Sequence, residues 1–137
     1  MLKQWLVGFA LVLSFSVYGH GVCGSTELHA YMIGIKDDLK SLSMNVKSGD
    51  HSSAEKYADN VILHLTKSRE VLPYSLTLEN DTAAEKELYI ALIDESILVF
   101  NNLKVALKTS NSGDIRRLFG EIGSLRNKGH RQFKRAC

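Results

Sequence analysis

Residues 28–46, LHAYMIGIKDDLKSLSMNV, decide the fold. Their apolar positions Leu28, Met32, Ile35, Leu39, Leu42 and Val46 are spaced 4, 3, 4, 3, 4. A helix turns about 100° per residue, so this spacing gathers all six side chains into one stripe; a strand would scatter them over both faces. Residues 48–50, Ser-Gly-Asp, end the helix, and Gly49 suits a left-handed terminus. Beyond them Ala54, Ala58, Val61, Leu65 and Leu72 repeat the spacing, with Ser68 in the gap. Ser52 or Ser53 is the expected cap of this second helix and Pro73 its expected stop. Residues 73–81, PYSLTLEND, have no period and read as a loop. A long third helix is expected from a cap at Asp81 or Thr82, with Glu85 in capping-box position, to about Ser110. Leu88, Leu92, Val99, Leu103 and Ala106 mark one face of it, with Ile93, Ile97 and Phe100 alongside. Residues 111–113 form a turn, Asp114 is the expected cap of the last helix, and Ile115, Leu118, Ile122, Leu125 and Phe133 make its stripe.

The chain before the first stripe reads differently. Lys3 precedes an apolar run over residues 5–17, and Gly19, Gly21 and Gly24 follow. That is the layout of a cleavable secretory signal peptide over residues 1–24, too short for a spanning anchor. Val22 before Cys23 does not fit lipid attachment. Removing residues 1–24 leaves 16 basic and 15 acidic residues, a net charge near +1. Such a balance gives no strong pull toward nucleic acid or a membrane. Residues 25–137 suffice for one domain. One proline and few aromatics argue against a sandwich or barrel, and two cysteines cannot staple a small scaffold. No Ser/His/Asp or Cys/His arrangement or phosphate loop appears, and Glu-x-x-His, the mark of di-iron bundles, is absent. The expectation is therefore an all-α, non-enzymatic protein.

Short connections force neighbouring helices to run in opposite directions, which predicts an antiparallel up-down-up-down four-helix bundle. In that topology the start of helix 1 and the end of helix 4 share one end. Met32 and His130 then face each other, and a thioether opposite an imidazole makes the two axial ligands of a six-coordinate haem iron.

Three stretches carry a family resemblance: residues 32–42, MIGIKDDLKSL; residues 126–134, RNKGHRQFK; and the turn at residues 106–113, ALKTSNSG. In this order, separated by two further helices, they resemble the soluble cytochrome b562 family. The resemblance implies a periplasmic electron-transfer protein holding one haem b (iron-protoporphyrin IX), with Met32 and His130 as metal ligands. The related cytochromes c′ attach haem through Cys-x-x-Cys-His. Here the matching run is Arg126-Asn127-Lys128-Gly129-His130, so the haem is expected to be non-covalent. Arg126, one turn before His130, is the expected partner of a haem propionate, with Lys134 and Arg135 as alternatives. The last helix and its tail carry seven basic residues against Asp114 and Glu121, a surface for an acidic periplasmic redox partner. Gly129 beside the histidine and Ser96 on helix 3 favour the alternative, a haem-free periplasmic helical-bundle binding or stress protein. His29 is expected to face solvent, His51 to lie in a turn, and His64 to lie off the helix 2 stripe. Cleavage after Gly19 would leave Cys23 able to pair with Cys137 in the oxidising periplasm; cleavage after Gly24 would leave Cys137 a free thiol.

Overall fold

The computed structural model describes residues 26–77 and 82–134. The expected leader, Cys23, Asp81, Arg135 and Cys137 lie outside the described residues. Four helices make up the fold: α1 (Glu27–Lys47), α2 (His51–Ser68), α3 (Ala83–Lys108) and α4 (Ser112–Phe133), with a short 3-10 turn at Tyr74–Thr77. There is no strand among the described residues. The architecture is all-helical, a helical bundle.

The stripes form its core. Leu42, Val61, Leu103, Leu107 and Leu118 are almost entirely sealed from solvent, each from a different turn of the four helices. Burial of such a side chain contributes about 1.5–3 kcal/mol. Close packing joins α1 to α2, α2 to α3 and α3 to α4; α1 and α4 approach each other less closely. Ion pairs mark the α2–α3 contact: Glu55 with Lys108 at 3.8 Å, Asp59 with Lys104 at 2.6 Å and Arg69 with Asp94 at 2.7 Å. Exposed pairs of this kind contribute about 0–1 kcal/mol each, so they select register more than they hold the fold.

The helix boundaries differ from the sequence reading where a cap or a distant partner intervenes. Thr26 caps α1, its hydroxyl accepting from the His29 amide at 3.1 Å. Gly49 takes the left-handed conformation, φ 79°, as its position requires. The cap of α2 is Asp50, not Ser52 or Ser53: its carboxylate accepts from the Ser53 amide at 3.0 Å and from the Ser53 hydroxyl at 2.7 Å. Those two bonds hold its pKa below the ordinary value. Asn111, not Asp114, caps α4, accepting from the Asp114 amide at 3.1 Å. The helix therefore absorbs Ser112 and Gly113, and the reversal falls on Ser110, φ 51°.

α2 stops at Ser68, a turn before Pro73. Two causes act together. The residue before a proline is pushed out of the helical region. The Ser68 carbonyl, which a continuing α-turn would offer to Leu72, accepts instead from the Val71 amide at 3.3 Å and from the buried Tyr89 hydroxyl of α3. The segment after it is not structureless, since Pro73 is buried and so is Leu76 within the 3-10 turn. Thr82 occupies the cap position of α3, yet its side chain makes no capping bond.

Candidate functional site

Met32 sits on the α1 stripe one turn in from the helix start. It is half-buried and packs against the core, as do its neighbours on the stripe, Leu28, Ile35 and Leu39. Only Leu42 of that stripe is fully buried. Val46, beyond Leu42, is half-buried again, so α1 is partly open at both ends, whereas α4 is graded. Ile115, Leu118 and Ile122 are buried, while Leu125 and Phe133, further along, are half-buried. The apolar faces of α1 and α4 are thus open over the two halves that carry Met32 and His130. Residues of α2 and α3 close beneath them: Leu65, Ser68, Tyr89, Leu92 and Ile93 are all buried.

A relay of contacts ties those halves to one region. Gly34 of α1 lies under the His64 ring of α2. One turn beyond His64, the Ser68 carbonyl accepts from Tyr89 of α3. The Tyr89 ring meets Phe133 of α4 edge-on, centroids 5.5 Å apart and planes at 79°. Ser75 of the 3-10 turn donates to the Phe133 carbonyl at 3.1 Å, pinning the last turn of α4.

His130 is exposed on that last turn. Its pKa lies below the ordinary histidine value. Partial burial of the ring comes first among the causes, then the positive charges of Lys134 and Arg126. A neutral imidazole keeps a lone pair available to a metal, the state in which histidine is a ligand. Gly129 beside it faces open space: a methyl group there would meet no atom within 4 Å. Arg126 is exposed and makes no ion pair among the described residues. No hydrogen bond joins Met32 to His130. The half-buried Ser96 spends its hydroxyl on the Leu92 carbonyl at 2.7 Å.

The remaining histidines are placed as follows. His29 is half-buried, not fully solvent-facing. His51 opens α2, its Nδ1 3.1 Å from the Ser110 hydroxyl. His64 lies in the α1–α2 contact, its Nε2 3.1 Å from the Asp38 carboxylate and its Nδ1 buried. Its position off the α2 stripe did not signal that contact; the signal was on α1, where Gly34 and Asp38 are one turn apart. Among the described residues no three His, Cys, Asp or Glu side chains gather as a metal-holding group. No helix among the described residues is long and apolar enough to cross a membrane.

Another opening between α1 and α4 lies away from Met32 and His130. A cleft of about 540 Å³ lies where α1 ends and α4 begins, lined by Val46, Lys47, Ile115, Arg116 and Phe119 among others. No family model, curated protein or solved structure matches the chain.

Proposed function

We propose that the protein is a periplasmic electron carrier of the cytochrome b562 type, an antiparallel up-down-up-down bundle holding one haem b non-covalently between Met32 and His130. The observation that carries the reading is the half-buried run Leu28, Met32, Ile35 and Leu39 on α1 together with half-buried Leu125 and Phe133 on α4, which leaves apolar surface partly uncovered in the halves that bear both residues. The proposed chain direction is supported by the ion pairs, in which α3 partners descend, from Lys108 through Lys104 to Asp94, as α2 partners ascend from Glu55 through Asp59 to Arg69.

The donor set fits the group. Met32 offers a soft thioether from an apolar wall, and His130 a nitrogen biased toward its neutral form. Two protein ligands leave no open position for oxygen or substrate, which suits electron transfer over catalysis. Haem supplies the one-electron chemistry when bound. Arg126 makes no ion pair among the described residues and stands one turn from His130, where it would meet a propionate. The basic residues of α4 supply the face for an acidic partner. The test is purification of the full chain from the periplasm of a host supplied with haem precursor. One haem b per chain, released by acid-acetone, supports the reading; a colourless protein that does not take up added haem contradicts it.

One observation favours a second reading, a haem-free binding or stress protein: His130 is exposed, as an incidental surface histidine would be. In that case Met32 is core filler and the same purification yields no visible spectrum.

A further inference from the structure

α3 also carries apolar side chains away from its core face. One side is core, and directly opposite it a second seam faces out: Glu87, Ala91, Asp94, Leu98, Asn101, Val105 and Lys108, spaced 4, 3, 4, 3, 4, 3. Leu98 and Val105 are 59% and 62% exposed, more than a bundle helix needs. Around Ala91 the same face is hollowed, with a depression of about 350 Å³ lined by Lys86, Glu87, Ile90, Ala91 and Asp94. Protruding Val105 and hollowed Ala91 lie seven residues to either side of Leu98. The ends of the seam are opposite in charge, Glu87 at one and Lys108 at the other.

We infer that this face binds a second copy of the chain, the two α3 helices packing antiparallel about a two-fold axis at Leu98. The seam is self-complementary under that operation. Leu98 meets its own counterpart on the axis, and Val105 of each copy enters the Ala91 hollow of the other. Asn101 comes beside Asp94, whose carboxylate Arg69 of the same chain already holds, and Glu87 comes beside Lys108, whose only ion pair within its own chain among the described residues is the long 3.8 Å one with Glu55. An isologous interface requires this reciprocity, each residue meeting what meets it in return. A parallel pairing would instead put Glu87 on Glu87 and Lys108 on Lys108. The apolar part is small, three residues per copy, so the dimer is of the weak class that buries less than about 1,200 Å² in total. The inference does not rest on haem binding.

Sedimentation equilibrium of the full chain, in reductant to exclude disulfide-linked species, tests it. The expected result is a reversible monomer–dimer equilibrium that Leu98→Glu weakens at least tenfold, with helicity by circular dichroism unchanged. Glu87→Lys and Lys108→Glu each weaken it, and the double variant restores it, which a merely sticky surface would not do. A wild type that stays monomeric into the millimolar range overturns the inference. So does a dimer indifferent to Leu98→Glu, or one that the charge reversal leaves broken.

Discussion

Gly34 is a residue whose missing side chain matters. A methyl group there would lie 2.7 Å from His64 Nε2 and 2.8 Å from Cε1, inside contact distance. The ring cannot swing aside without leaving Asp38. Alanine is normally better than glycine inside a helix by about 1 kcal/mol, but here the displaced imidazole outweighs that gain. Gly34→Ala should lower stability by about 1–2 kcal/mol in urea melts, and raise it in a His64→Ala background, where the obstacle is gone. Gly120→Ala, with no atom near its new methyl, should raise it by about 0.5–1 kcal/mol. Tyr89 is the converse case, a residue whose one polar atom matters. Burial pushes its phenol up to about 12. A raised folded-state pKa gives stability that is full below the unfolded value of about 10 and lost as pH climbs toward 12. Tyr89→Phe keeps the ring against Phe133 but removes the shorter of the two hydrogen bonds to the Ser68 carbonyl, leaving the one from the Val71 amide. The expected cost is about 1–2 kcal/mol at neutral pH, and the variant's stability should then fall less between pH 10 and 12 than the wild type's.

Each helix is a stripe, and stripes are written in sequence as spacing. That is why all four were legible from Leu28 to Phe133, although the spacing passed over Leu76, Tyr89 and Leu107 of the core and put Leu72, which is exposed, on the α2 stripe. The ends were less so, for two physical reasons. Caps compete locally: residues 50–53 offer Asp, His, Ser and Ser within one turn, and the donor's position, not the residue type, decides among them. Asn111→Ala and Asp50→Ala should each cost about 1 kcal/mol, while Ser52→Ala should cost almost nothing; thermal melts of the three variants check this assignment. The other reason is non-local. Besides Pro73, a tyrosine 21 residues later bonds the Ser68 carbonyl where α2 ends, and no window around Ser68 contains that information.

For the whole molecule, what the sequence showed of the site came through motif order, not period. Met32 lies in an unbroken apolar stripe and by spacing alone is core, which is also how it packs. His130 is one histidine on a basic helix. The proposed antiparallel topology brings them to one end of the bundle, and the resemblance around each singles them out there. What the structure adds is the half-open pair of stripes on α1 and α4, and the floor of α2 and α3 residues beneath them. Optical spectra of haem-loaded wild type, Met32→Ala and His130→Ala test the proposed axial pair most directly. The account expects a low-spin six-coordinate wild type. Met32→Ala should retain haem in a high-spin state at a lower reduction potential, because loss of the thioether removes the ligand that favours ferrous iron. His130→Ala should bind haem far more weakly. Identical spectra and haem affinities for wild type and His130→Ala would contradict it.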